Sequence, residues 1–174
     1  MIVSLNDVMW MPEFSPMPEA VVKRKLESIE DMIRAYTNNN FQCRSKRFFA
    51  KALGSNLIGS DTRFNVGDTI QITESVNNGL YVIVDMENDR TVLNKDLIDC
   101  DYNLVTKVQY PSAVKEGTIN LLLWEVRNRD KVGIQSETIS RHSVTYFSQD
   151  SSNQVMGYPI SLLGFLKPYM KARF

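Results

Sequence analysis

The stretch "FNVGDTIQITESVNNGLYVIVDMENDRTVLNKDL", residues 64–97, decides the architecture. Ile70 and Ile72 alternate with polar neighbours, the period-2 pattern of a strand with one buried face. Asn77, Asn78 and Gly79 form a hairpin signal, and "LYVIVDM" (80–86) is the β-branched and aromatic run that follows it. "RTVLN" (90–94) and "LVTKVQY" (104–110) supply two further candidate strands, with "ENDR" (87–90) and "DLIDCDYN" (96–103) as their connections. Gly67 and Asp68 precede a strand without a Gly-x-x-x-x-Gly-Lys pattern or a following helix, so they read as a β-turn and not as a phosphate loop. From Phe41 to Tyr110 the chain therefore reads as a small antiparallel β module, sheet or barrel.

On either side the period becomes helical. In residues 15–40, Val22, Leu26, Ile29, Ile33 and Tyr36 recur at steps of four and three, after Pro18 and Glu19 and before an Asn run. The charges on the other face, Lys23, Arg24, Lys25, Glu27, Glu30 and Asp31, are mixed in sign and read as solvated. A second helix starts at Pro111 and Ser112 and is apolar almost all round from Ile119 to Val126, with Arg127, Arg129 and Lys131 at its negative end. Such a helix must be covered on more than one side, by other helices or by a neighbouring subunit. Gly117 in its interior costs about 1 kcal/mol relative to alanine and is tolerated where two backbones approach closely. After a polar Ser/Thr-rich loop, "YPISLLGFLKPYMKARF" (158–174) offers a short apolar helix around Leu162 to Leu166, bent or stopped by Pro168, and a tail. The expected fold class is α+β. A small bundle of three to four helices (1–40 and 111–174) carries an inserted antiparallel β module (41–110), a long loop and an extended C-terminal tail.

Bulk properties exclude several functions. Twenty Lys and Arg against twenty Asp and Glu balance to zero, which argues against a protein that holds nucleic acid chiefly through phosphate neutralisation. A local basic patch remains open, with Lys23, Arg24, Lys25, Arg44, Lys46 and Arg47 as its candidates. Cys43 and Cys100 are far apart in sequence, with no further Cys or His at metal-ligand spacing, so neither a zinc site nor a disulfide framework is expected. The N-terminus lacks a basic segment followed by an apolar run, and no apolar stretch approaches the roughly 20 residues of a membrane helix. A soluble cytosolic protein is expected. The clustered carboxylates Asp85, Glu87, Asp89, Asp96, Asp99 and Asp101 miss the EF-hand pattern and sit where turns favour Asp.

The sole histidine, His142, lies in "ETISRHSVTYFSQDSSN" (137–153) between Arg141 and Ser143. A catalytic reading needs a nucleophile on a strained element and oxyanion donors aimed at the reacting atom, and no Gly-x-Ser-x-Gly elbow occurs. The loop and the tail suit assembly instead, because segments unable to bury much surface alone gain it against neighbours.

The run "VKEGTINLLLWEVRNRDKVGIQSETISRHSVTYF" (114–147), followed by "GYPISLLGFLKPYMKARF" (157–174), resembles the C-terminal half of head-tail connector (adaptor) proteins of tailed bacteriophages, notably those of Gram-positive hosts. The helix after Pro18 resembles that family's N-terminal helix, and residues 64–97 resemble the β insertion of its longer members. The resemblance implies a virion neck protein without catalytic activity or cofactors. It would be made in the host cytoplasm and assembled as a homo-dodecameric ring beneath the portal protein. There it would extend the channel through which packaged double-stranded DNA passes without sequence-specific binding, and would carry a downstream stopper or tail-completion protein. No membrane is involved. Portal contact maps onto Tyr169, Met170, Lys171, Ala172, Arg173 and Phe174, and contact with neighbouring subunits or the tail onto Ser136, Glu137, Ile139, Arg141, His142, Val144, Tyr146 and Phe147. Such a chain is expected to stay monomeric or weakly associating until the portal presents a symmetric template. The competing readings are another neck component, a small hydrolase using His142, and a DNA-binding module using the basic candidates.

Overall fold

The computed structural model describes residues 1–54, 56–128, 136–139, 142–145 and 153–172, with only the backbone described at 136–139 and 142–145. The chain divides into two units, Asn40–Tyr110 and Met1–Asn39 with Pro111–Phe174.

The first unit is a closed barrel of six antiparallel strands: β1 (Gln42–Leu53), β2 (Asn56–Ile58), β3 (Thr69–Thr73), β4 (Gly79–Glu87), β5 (Arg90–Leu93) and β6 (Cys100–Val108). The strand order is β1-β2-β5-β4-β3-β6, and β6 returns to β1. Ile70 and Ile72 are fully buried inside it, as are Ala52, Leu57 and Val105, with Phe64 and Ile83 nearly so. The β4–β5 connection is a two-residue turn with Asn88 at φ 42°, a left-handed conformation that asparagine tolerates. The β3–β4 connection is longer than the Asn-Asn-Gly signal suggested, running from Glu74 to Asn78.

This architecture corrects the expected one. The fold is dominated by a closed barrel and is not a helical bundle with a small β insertion. The difference lies in β1. Its twelve residues, "QCRSKRFFAKAL", include no clean apolar alternation at the start, because its register against β6 shifts between Gln42 and Arg47 and again between Ala50 and Ala52. Those irregularities bend the strand and let one long segment pair with β6 on one side and β2 on the other, closing the cylinder.

The second unit contains α1 (Leu5–Met9), α2 (Glu19–Thr37) and α3 (Ser112–Asn128). It also contains two short hairpins, β7 (Ser136–Ile139) with β8 (His142–Thr145) and β9 (Gln154–Val155) with β10 (Tyr158–Pro159), and a 3₁₀ helix, Ile160–Tyr169. Helix α1 was not anticipated. Its signal is the capping box of Ser4 and Asp7, in which each side chain accepts from the other's backbone N–H at 3.2 and 3.3 Å. Along α2, Val22, Leu26, Ile29 and Ile33 are buried, and the stripe ends on Thr37 instead of Tyr36. Two charges of the face read as solvated are structural. Lys25 binds Glu125 of α3 at 3.2 Å, and Glu30 is buried. The expected apolar helix around Leu162 is 3₁₀ and passes through Pro168, with Leu163 and Leu166 buried. No helix among the described residues is long and apolar enough to cross a membrane.

Gly117 has a specific reason. A Cβ there would lie 2.4 to 2.5 Å from three ring carbons of Phe165, so the ring edge occupies the notch that glycine leaves in α3. The close approach is ring against backbone, not backbone against backbone. Gly117→Ala gains about 1 kcal/mol of helix propensity but displaces the Phe165 ring, at a cost of about 1–3 kcal/mol. The expected result is a lower denaturation midpoint for Gly117→Ala alone. In a Phe165→Leu background the same change should be neutral or stabilising. Equal effects of Gly117→Ala in both backgrounds contradict the notch.

Candidate interaction surface

Of the residues that the resemblance assigns to portal contact, Tyr169 to Ala172 lie along the C-terminal end of α2. The Lys171 N–H donates to the Thr37 carbonyl at 2.8 Å, the Asn38 amide donates to the Ala172 carbonyl at 2.9 Å, and the Asn39 amide donates to the Tyr169 carbonyl at 3.0 Å. Asn38, at φ 48°, ends α2 in the left-handed conformation and turns its side chain to this task. The tail is thus strapped back along its own unit, while Met170, Lys171 and Ala172 remain exposed. Arg173 and Phe174 lie outside the described residues.

Of the residues assigned to the interface loop, Ser136, Glu137 and Ile139 lie on β7, and His142 and Val144 on β8. The register brings Glu137 opposite Val144 and Ile139 opposite His142, so this part of the long loop is a hairpin. Arg141, Tyr146 and Phe147 lie outside the described residues. The basic candidates divide between the units, with Lys23, Arg24 and Lys25 on α2 and Arg44, Lys46 and Arg47 on β1.

Sequence reading missed one end of the barrel. Asn103 of β6 is fully buried. Its amide nitrogen donates to the Ala50 carbonyl at 3.2 Å, and its oxygen accepts from the Ser75 hydroxyl at 2.7 Å and from the Asn77 amide at 3.1 Å. Asn77 exchanges two 2.8 Å bonds with the Ile98 backbone, one donated and one accepted. The Leu97 N–H donates to the Gly54 carbonyl at 3.0 Å, and the Gly54 N–H to the Asp99 carboxylate at 2.8 Å. The β1–β2, β3–β4 and β5–β6 connections are thereby tied into one rigid edge. From it project Leu53, Val76 (68 % exposed) and Ile98 (65 % exposed). The convergent polar groups are occupied with one another, and among the exposed polar residues of the connections, such as Glu74, Lys95 and Asp96, three apolar side chains also face water. That arrangement suits contact more than chemistry.

On the barrel's side, the rings of Phe49 on β1 and Tyr102 on β6 pack with centroids 4.8 Å apart, yet stay 59 % and 47 % exposed. Lys51, between them and Leu53 on β1, pairs with Asp101 at 2.7 Å.

The loop from Gly59 to Asp68 is pinned by Arg63, whose guanidinium donates to the Ser45 carbonyl at 2.6 Å and binds Asp61 in a fork. That hydrogen bonding holds the Asp61 carboxyl down at about 2 from an ordinary 3.8. A depressed carboxylate contributes its stabilisation above the ordinary value and loses it as pH falls through the folded one. The loop should therefore keep its conformation from neutral pH to about pH 3 and loosen toward pH 2. A carboxyl-carbon NMR titration is expected to give Asp61 a midpoint near 2, moving toward 3.8 in Arg63→Ala. An Asp61 midpoint already at 3.8 in the unaltered chain contradicts the fork.

Among the described residues no cluster of three or more His, Cys, Asp or Glu side chains is arranged to hold a metal ion. No protein-family model and no curated protein matches the chain at a significant level.

Proposed function

We infer that the chain is a structural assembly subunit, and that its place is the neck of a tailed-phage virion, as an adaptor ring between portal and tail. The observation that carries this reading is the barrel edge bearing Leu53, Val76 and Ile98. Its position is fixed by a saturated hydrogen-bond network, and its apolar side chains are left in water. A monomer gains nothing from such side chains, whereas a subunit buried against its neighbours does. The strapped tail and the β7–β8 hairpin supply the second and third contact elements, toward the portal and toward neighbouring copies or the tail.

Each contact element is small by itself, so a symmetric template that presents all partner sites at once favours assembly over association in free solution. Stable rings of the purified chain without portal, at low concentration, contradict this templating.

A stopper or tail-completion protein is the second reading, and the closed barrel favours it, since β-rich folds are what the resemblance associates with those components. Helical and strand elements of nearly equal extent among the described residues favour the adaptor.

The test is a double substitution, Val76→Asp with Ile98→Asp. Both side chains are exposed, so circular dichroism and the melting temperature are expected to stay as in the parent. Virions built with the variant are expected to lose head-tail joining. Normal joining with a folded variant contradicts the assembly role of this edge.

A further inference from the structure

Strand β1 bears four cations, Arg44, Lys46, Arg47 and Lys51, and no carboxylate, in a chain whose charges balance. Nearby cations of the barrel are neutralised: Arg63 by Asp61, Lys107 by Asp68 and Lys51 by Asp101. Arg44, Lys46 and Arg47 form no ion pair with a carboxylate among the described residues. Lys46 donates to the Gln109 side-chain oxygen at 3.2 Å, and the Arg47 Nε donates to the Arg44 carbonyl at 2.6 Å. These bonds orient the cations without cancelling their charge.

Arg47, Phe49 and Lys51 are exposed at every second position of β1, so Arg47 and Phe49 share the outer face about 7 Å apart. Phe49 packs on Tyr102 of the neighbouring strand and leaves most of its ring in water. The face thus combines two adjacent aromatic rings, held by strands of a closed barrel, with Arg47 beside them and Arg44 and Lys46 following along the strand across its register shift.

We propose that this β1–β6 face binds single-stranded nucleic acid. Unpaired bases stack on Phe49 and Tyr102 while the backbone phosphates meet Arg44, Lys46 and Arg47. Stacking needs bases whose faces are open, which a duplex does not present, and the cations supply the phosphate contacts that give such binding its salt dependence. An acidic polypeptide would meet the cations but has no general use for two ring faces. The inference goes beyond the neck assignment and does not depend on it, because the barrel edge and the β1–β6 face involve different side chains.

Fluorescence anisotropy of a labelled oligothymidylate of about twelve nucleotides tests the proposal on the full chain. The expected result is binding that weakens steeply as salt rises. Phe49→Ala and Tyr102→Ala should each weaken it by about tenfold, and Arg47→Ala should weaken it and flatten the salt dependence. Both aromatic variants should stay folded, with melting temperatures only a few degrees below the parent, since each ring is about half exposed and loses chiefly its contact with the other. Four results overturn the proposal: no binding at low salt, equal binding of a duplex of the same length, polyglutamate displacing the oligonucleotide as well as unlabelled oligothymidylate does, or aromatic variants that bind unchanged. None of these bears on whether Val76→Asp with Ile98→Asp blocks head-tail joining.

Discussion

Asn103→Leu is expected to destabilise the barrel by about 3 kcal/mol. The substitution keeps the branching and the number of side-chain heavy atoms and removes both the donor to Ala50 and the acceptor shared by Ser75 and Asn77. The Ala50 carbonyl loses this donor in the interior, and the half-buried Ser75 hydroxyl loses its acceptor while still accepting from the Asn77 N–H at 2.9 Å; an unsatisfied buried group costs about 1–3 kcal/mol. Asn77 keeps its two bonds to the Ile98 backbone, so the β3–β4 connection loosens without detaching. Urea denaturation measures the loss directly. For a chain of this size about 3 kcal/mol corresponds to roughly 6–12 °C in melting temperature. Adding Ser75→Ala removes one of the orphaned groups, so the double variant is expected to be less destabilised than the sum of the two single ones. A change under about 0.5 kcal/mol for Asn103→Leu would remove the network from the account.

Glu30→Ala is expected to have a comparable effect in the other unit. Glu30 sits on α2 at 5 % exposure, accepts from the Ile2 backbone N–H at 3.1 Å and pairs with Arg34 one turn on. Removing the carboxylate leaves the Ile2 N–H without this partner and Arg34 with Asp31 at 2.6 Å, whose side chain is mostly in water. Breaking a buried pair by deleting one member costs about 3–5 kcal/mol in general, and the surviving Asp31 contact puts the expectation at the lower end, about 3 kcal/mol. Ile2 and Val3, both buried, are expected to lose hydrogen-exchange protection together with the stability. Glu27→Ala, on the exposed face of the same helix, is expected to change stability by less than about 0.5 kcal/mol. Parity between the two variants means that Glu30 behaves as a surface residue and that this contact does not anchor the chain's start.

Both side chains show where sequence patterns stop being informative. The strands around Ile70, Ile72 and Ile83 were legible because alternation and turn residues are local signals, and so were α2 and α3 because their apolar spacing is. Closure of the barrel was not, because it depends on β1 meeting β6 across the four strands that lie between them in sequence, through two register shifts. Asn77 and Asn103 carry the same letters as turn asparagines, and only the closed cylinder puts them inside it. Glu30 falls among charges of both signs, where period alone does not separate a paired carboxylate from a solvated one.

For the contact surfaces, the sequence pointed to the tail and to the Ser136–Phe147 loop. The strap across α2 was hidden from it, because that strap is made of backbone carbonyls and two asparagines. The apolar edge was hidden as well. Leu53, Val76 and Ile98 are scattered along the chain and become neighbours only through the bonds between three connections.

Native mass spectrometry of the full chain, alone and mixed with purified portal rings, tests the central claim that its exposed segments are ligands for a symmetric partner and for sister copies. The account predicts monomer alone and a dodecamer of the chain on each portal ring in the mixture. A chain that ignores the portal and stays monomeric in the mixture would contradict it.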